Sequence, residues 1–250
     1  MADRTPLIAG NWKMHKTIAE AESYIQGLLP RISAAAADVA ICVPFTALQA
    51  MVDSTRGSGV TVYAQTMHEA AQGAFTGEIS AAMLNELDVH GAVLGHSERR
   101  QLFGETDRAL QAKVPAALAA GLVPLLCVGE TEEERDAGET DRKLRHQVQE
   151  ALEKVADEQL GDVVIAYEPV WAIGTGKNAT PDQAQEAIGF VRALVADRDP
   201  EQAQRTRILY GGSVNPGNAA ELLALPDVDG ALVGGASLDP ESFAAIVAAV

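Results

Sequence analysis

The sequence lacks any apolar run approaching the roughly 20 residues that a membrane-spanning helix needs. Its first residues, MADRTPLIAGNWKMHK, lack the apolar segment and the cleavage pattern of a secretory signal peptide. We therefore expect a soluble, cytoplasmic protein without a membrane partner. With 47 % hydrophobic residues over 250 positions, the chain can still bury a large core.

Cysteine is scarce, and metal-binding motifs are missing. Cys42 and Cys127 each lie in an apolar run typical of a strand, so we expect both to be reduced and buried, and Cys127 to be a small core hydrophobe. The histidines follow neither the HExxH pattern nor a Cys/His ligand spacing; they are His15, His68, His90, His96 and His146. The sequence therefore predicts no disulfide framework and no metal site.

Positive charge is also in short supply. The chain has 19 Lys and Arg against 35 Asp and Glu, a formal net charge of −16 and a pI near 4.6. Nucleic acids are held by clustered Lys and Arg, so this balance argues against a nucleic-acid partner. Any anionic ligand must bind in a locally positive pocket.

Short apolar runs alternate with longer helical patterns along the whole chain. Each run is continuous, as is typical of a buried parallel strand, and each is followed by a stretch that can cross back over the sheet. The eight predicted strands are 6–11, 39–44, 60–65, 91–96, 121–129, 162–169, 207–212 and 230–235. This number of βα units predicts an α/β fold with one (β/α)8 barrel domain over residues 1–250, although a doubly wound open sheet would give the same alternation.

Polar residues and glycines follow several of these strands. In a parallel barrel the carboxyl ends of all strands share one face, so these residues should converge there. They are Asn11-Trp12-Lys13, His96-Ser97-Glu98-Arg99-Arg100, Glu168, Gly211-Gly212-Ser213 and Gly234-Gly235. A carboxylate base, an imidazole, a fixed cation and exposed backbone N–H groups suit proton transfer on a phosphorylated substrate.

Each of these residues also has a plainer interpretation. Glu168 could be a structural ion-pair partner, His96 a core histidine and Lys13 a solvated cation, and the glycine pairs could mark tight turns. For Glu168 the functional interpretation is favoured, because burying a carboxylate unpaired at the end of VVIAY is costly. Ser97 and the charged residues after it predict a helix start, which would lower the pKa of His96.

The stretch AYEPVWAIGTGK, residues 166–177, follows the sixth predicted strand. It does not fit a Walker phosphate loop, and its looser G-x-G-x-x-A match ends before the predicted helix start at Thr180-Pro181-Asp182-Gln183, which has a capping box and an early proline. The composition predicts a lid, with hinges at 169–171 and 177–179 and a tip that closes over Glu168.

Seven segments together resemble the triosephosphate isomerase family over the whole chain: GNWKM, GAFTGEIS, GHSERR, CVGE, AYEPVWAIGTG, YGGSV and GALVGGASL. The resemblance implies interconversion of dihydroxyacetone phosphate and glyceraldehyde 3-phosphate through an enediolate, without metal or organic cofactor. It makes Glu168 the base, His96 the neutral electrophile and Lys13 the cation, with Asn11 and Glu98 in support.

The resemblance also implies the remaining binding residues. The backbone N–H groups that hold the phosphate would be those of Gly174, Ser213, Gly234 and Gly235. The lid tip would include Ile173, Thr175 and Gly176, with Tyr210 and Ser213 latching it when closed. A homodimer is implied, in which the loop 65–80 inserts near the partner's active site.

Within that loop Thr76 would reach across to the partner, and the apolar Phe75 is easier to explain if a neighbour covers it, although the loop could pack on itself. Thr66 and His15 stand where many family members carry Asn. Two other functions remain open: a Schiff-base aldolase, which needs a desolvated lysine in a strand, and a catalytically silent binding scaffold.

Overall fold

The structure is a computed structural model that describes residues 4–174 and 177–250. Within these residues eight parallel strands pair in chain order, and β8 pairs with β1 to close a barrel. The strands are β1 Leu7–Asn11, β2 Asp38–Val43, β3 Val60–Ala64, β4 Gly91–Leu94, β5 Val123–Val128, β6 Val164–Tyr167, β7 Arg207–Tyr210 and β8 Gly230–Val233. The predicted (β/α)8 barrel is confirmed, and the open sheet is excluded because neither β1 nor β8 is an edge.

Helices cover the outside of the strands. Those in the described residues are α1 Ile18–Leu28, α2 Leu48–Thr55, α3 Ala81–Glu86, α4 Ser97–Phe103, α5 Asp107–Ala119, α6 Glu132–Asp136, α7 Thr140–Leu152, α8 Pro181–Ala196, α9 Pro200–Arg205, α10 Ala219–Leu223 and α11 Pro240–Val247. Within this described part, none of them is both long and apolar enough to cross a bilayer.

The strands are buried on both faces, which explains their continuous apolar runs. Leu7 and Ala9 point into the barrel and belong to a small inner cluster, whereas Ile8 points outward into the larger layer between strands and helices. Cys42 and Cys127 lie in the inner cluster, fully buried and unpaired, as the sequence predicted. The barrel interior is therefore filled by side chains, and ligands have access only at its ends.

Two predicted helix starts are confirmed. Thr180 caps α8, with Pro181 in the first turn and Gln183 completing a reciprocal capping box. His96 is the N-cap of α4 and accepts a hydrogen bond from the Glu98 backbone N–H through its ring. The second start positions the imidazole just after the end of β4, because the hydrogen bond fixes its Nδ1 edge.

Candidate active site

A cavity of about 350 Å³ opens at the carboxyl ends of the strands. Most of the residues predicted for the site line it: Asn11, Lys13, His96, Glu168, Ile173, Gly174, Ser213, Gly234 and Gly235. Glu98 lies in an adjoining cavity that shares Asn11, Lys13 and His96. Thr175 and Gly176, predicted for the lid tip, lie outside the described residues.

Glu168 follows β6 directly, and its side chain is almost fully buried. Its Oε1 lies 3.0 Å from Nε2 of His96, and its Oε2 accepts the Ser97 backbone N–H at 2.8 Å. Burial raises the pKa of Glu168, but His96, the Ser97 amide and Lys13 together bring it below its ordinary value. The carboxyl group is therefore ionised at neutral pH and is bound to the N-terminus of α4.

His96 is held at both ring nitrogens. The Glu98 backbone N–H donates to Nδ1 at 3.2 Å, and Nε2 faces the Glu168 carboxylate. A nitrogen that accepts an amide N–H carries no proton of its own, so this contact favours the tautomer with hydrogen on Nε2. The imidazole can therefore donate a hydrogen bond from Nε2 on the side of the ring where Glu168 lies.

The predicted lowering of the His96 pKa does not hold in this arrangement. Burial is the largest single influence and lowers the pKa of His96, but the charge and hydrogen bond of Glu168, together with the charge of Glu98, outweigh it, so that the pKa lies above its ordinary value. The prediction was wrong because it considered only the helix N-terminus. Glu168 reaches Nε2 from a different strand, and its full negative charge outweighs the partial charge of the helix.

We expect Glu168→Gln to lower the pKa of His96, because the glutamine removes the larger of the two negative charges that raise it. Burial and Lys13, which both lower this pKa, then act against Glu98 alone. Titration of the ¹⁵N-labelled imidazole by NMR measures this change. The exposed Glu158→Gln substitution is the matched control and should leave the titration unchanged. An unaltered or raised His96 pKa in Glu168→Gln would contradict the assigned contact.

Lys13 is the one lysine or arginine among the described residues that line the main cavity. Its Nζ pairs with Oε1 of Glu98 at 2.5 Å, and its backbone is left-handed, with φ 53°. A non-glycine residue in this conformation costs about 1–3 kcal/mol and is found where the surroundings enforce it. Here the Asn11 side chain accepts the Lys13 N–H at 3.0 Å, and Gln65 donates to the Lys13 carbonyl at 2.8 Å.

Gln65 and the Ser97 amide are site features that the sequence interpretation missed. The Gln65 side-chain amide also contacts Oδ1 of Asn11 at 3.3 Å and the Cys42 carbonyl at 3.2 Å, so it ties β1, β2 and β3 together under Lys13. Its position directly after β3 was a usable signal, because the neighbouring strand ends had already supplied candidates.

The opposite wall of the cavity is rich in glycine. A Cβ on Gly211 would lie 2.9 Å from Cγ of Glu168, so only glycine lets β7 pass this close to the carboxylate. The backbone N–H groups of Ser213 and Gly235 donate no hydrogen bond within the described parts of the chain. Among the described residues these two amides are thus unpaired at the wall of a cavity that also contains Lys13, and unpaired amides of this kind can donate to an anion.

The segment after Glu168 begins with a short 3-10 turn, Val170–Ala172, anchored on Glu130. The Val170 N–H donates to the Glu130 carbonyl at 3.1 Å, and the Trp171 indole donates to its carboxylate at 2.8 Å. Ile173 and Gly174 then line the cavity. This part of the predicted lid therefore lies beside the site, while its motion remains a prediction.

Tyr210 does not line the cavity but is buried at the end of β7. Its hydroxyl lies close to the Ala179 backbone, outside hydrogen-bond geometry, and burial raises the pKa of Tyr210 to about 12. Ala179 belongs to the second predicted hinge. The location is compatible with the predicted latch, which remains a prediction.

Fold and site together define a (β/α)8 barrel with a histidine–glutamate pair in a glycine-lined cavity at the carboxyl ends of its strands. The family model for triosephosphate isomerase matches residues 6–250. Two curated relatives are named triosephosphate isomerase. The protein of Symbiobacterium thermophilum is 55 % identical over 98 % of this chain and 97 % of its own length. The protein of Moorella thermoacetica is 52 % identical over 98 % of this chain and 98 % of its own length. The chain belongs to the triosephosphate isomerase family and is an isomerase.

Proposed function

We propose that the chain interconverts dihydroxyacetone phosphate and D-glyceraldehyde 3-phosphate through an enediolate, with residues 1–250 acting as one catalytic domain in the cytoplasm. The observation that carries this proposal is the 3.0 Å contact between His96 Nε2 and Glu168 Oε1 inside a cavity that also contains Lys13. The curated relatives carry the name of this activity over almost their full length.

In this proposal Glu168 removes a proton from one carbon and returns it to the adjacent carbon. A carboxylate with a lowered pKa is ionised but weakly basic. When Glu168 exchanges the His96 and Ser97 contacts for the substrate carbon, it loses two interactions that stabilise its charge and becomes a stronger base. Gly211 leaves room for that movement, since no side chain fills the space beside Cγ.

His96 is the neutral electrophile in the proposal. Once Glu168 has turned to the substrate, the main influence that raises the pKa of His96 is gone, and burial favours the neutral imidazole. The Glu98 N–H still occupies Nδ1, so the Nε2 hydrogen can be donated to the substrate oxygen on which negative charge develops.

The phosphate group would be held by Lys13 and by backbone N–H groups of Gly174, Ser213, Gly234 and Gly235. Asn11 and Glu98 would orient Lys13, as their contacts with it indicate. A chain with a net charge of −16 can bind a phosphodianion in this way, because remote surface charges are screened over about 8–10 Å while the local donors are in contact. Lid closure by residues 173–176, latched by Tyr210 and Ser213, would then exclude water.

The competing functions have less support. None of the eight strands in the described structure contains a lysine, and the Lys13 ammonium is paired with Glu98, whereas a Schiff-base lysine is kept uncharged by apolar surroundings. A catalytically silent scaffold is expected to have lost at least one reacting residue, whereas Glu168, His96 and Lys13 are all present.

The direct test is a coupled isomerase assay with each triose phosphate in turn, using protein made in a host that lacks its own isomerase. We expect turnover in both directions without added metal or cofactor. Absence of turnover from folded protein in both directions would reject the proposed function.

We further propose a homodimer through the loop 65–80, supported by exposed apolar side chains beside the site. Met14 is 93 % exposed and Phe103 70 % exposed, and both line the cavity that adjoins Lys13. Phe75 is 46 % exposed, and it stacks on His68 at 4.0 Å between ring centroids. Exposed apolar surface of this kind is typical of an interface. The partner's Thr76 would pack near Asn11 and Lys13 and steady them.

Phe75→Ser or Thr76→Arg should reduce activity and dimer content together, because a strained Lys13 backbone needs support from its surroundings. Analytical ultracentrifugation and activity over a dilution series measure both quantities. Val250→Ser, at another exposed apolar position, is the control and should change neither. A fully active monomer would refute this proposal.

A further inference from the structure

The Arg100 side chain lies behind the site and contacts two strand ends. Its Nε donates to the Gly95 carbonyl at 2.6 Å, and its Nη2 donates to the Cys127 carbonyl at 3.0 Å. Its Nη1 pairs with Asp107, and the side chain is largely buried. One guanidinium group therefore joins the residue after β4 to the end of β5.

The Gly95 peptide immediately precedes His96 and is fixed on both sides. Arg100 holds its carbonyl, while Glu105 accepts its N–H at 3.0 Å. Gly95 is left-handed, with φ 73°, and a Cβ there would lie 2.7 Å from Cδ1 of Leu110. This tight turn aims His96 into the cavity, and Arg100 is one of its two polar restraints.

The other end of the connection leads to Glu168. The residue after Cys127 is Val128, whose carbonyl accepts the Glu168 backbone N–H at 2.7 Å. Arg100 therefore fixes the segment that contains His96 relative to the end of β5, which in turn binds the Glu168 backbone N–H. Neither of the two carbonyls belongs to a residue that lines the cavity, so Arg100 acts on the site only through these segments.

We propose that Arg100 is a positioning residue that sets the spacing between His96 and Glu168 by joining the Gly95 and Cys127 carbonyls. This inference rests on the proposed function, because the spacing between His96 and Glu168 affects turnover only if both residues act in the reaction. Arginine suits the role because its planar fork presents donors in fixed, divergent directions, whereas a lysine ammonium on a flexible stem cannot hold two carbonyls in a set geometry.

The test is Arg100→Lys, which keeps the charge and removes the fork. We expect kcat, corrected for the folded fraction measured by circular dichroism, to fall roughly 10- to 100-fold with little change in KM, because misplacement by about 1 Å can cost that much. The NMR signals of the His96 ring nitrogens should shift as well.

Arg192→Lys is the matched control. Arg192 is also buried and donates to three backbone carbonyls, those of Ala203 at 2.8 Å, Thr206 at 3.0 Å and Asp227 at 2.8 Å, but it does not line the cavity. We expect Arg192→Lys to lower the unfolding temperature while leaving kcat and the His96 signals unchanged. An equal loss of kcat in both variants would reduce the role of Arg100 to general stability and overturn the proposal.

Chemical rescue gives a second, independent measurement. Arg100→Ala should regain kcat when ethylguanidinium is added at low concentration, and ethylammonium should not restore it. Parental kcat and His96 signals in Arg100→Lys, or rescue by neither ion, would overturn the inference. If Glu168→Gln loses turnover while Arg100→Lys does not, this inference alone fails; if Glu168→Gln keeps turnover, the proposed function fails.

Discussion

Replacement of Glu168 by glutamine is expected to lower kcat about 1,000-fold, within the range of 10²–10⁴ that a positioned general base contributes. The amide keeps the shape of the carboxylate and can still accept the Ser97 N–H, but it cannot take a proton from carbon at neutral pH. Binding of a phosphate-bearing ligand should be largely retained, because Lys13 and the glycine-rich wall are unaltered.

Two measurements separate these effects: the coupled assay gives kcat, and calorimetric titration with inorganic phosphate gives the affinity of the anion site. Glu158→Gln removes an exposed carboxylate of the same type and should be indistinguishable from the parent. Turnover near the parental value in Glu168→Gln, in protein free of host isomerase, would refute the assignment of the base.

Removal of residues 173–176, with the ends bridged, is expected to reduce isomerisation by at least about 100-fold and to release inorganic phosphate. An enediolate with a phosphate on the next carbon can expel that phosphate. The reaction is suppressed only while contacts keep the phosphate out of the geometry for elimination and water stays outside.

The barrel should remain folded after this deletion, because Ile173 is only half-buried and Gly174 is exposed, so little core is lost. Methylglyoxal and inorganic phosphate are assayed alongside isomerisation, with the spontaneous breakdown of the triose phosphates subtracted. A folded deletion variant with parental isomerisation and no excess phosphate would identify the stretch as a simple connector.

The fold was predictable because its signals are local or topological. The capping box of Thr180 and Gln183 spans four residues, and each buried parallel strand shows as one continuous apolar run. The site was predictable for a related reason: in a barrel, the residue that follows a strand lies on a known face, so Glu168 and His96 could be expected together before any distance was known.

Contacts between distant parts of the chain were not predictable in this way. The direction of the His96 pKa depends on a carboxylate that approaches from β6, and the role of Gln65 depends on the register of three strands. In the sequence, Arg100 is only one of several charged residues at a predicted helix start. Its two carbonyl partners can be identified only once β4 and β5 are known to lie side by side.

Proton transfer by Glu168 through an enediolate can be followed by isomerisation of dihydroxyacetone phosphate in D₂O, with the product trapped and analysed by NMR. A carboxylic acid formed at Glu168 exchanges its hydrogen with solvent, so we expect deuterium at C2 of glyceraldehyde 3-phosphate, and almost no product from Glu168→Gln in the same time. If C2 of the product from the parent enzyme carried only the hydrogen that was on C1 of the substrate, the reaction would be a direct hydride transfer between the carbons, and Glu168 would not be the base.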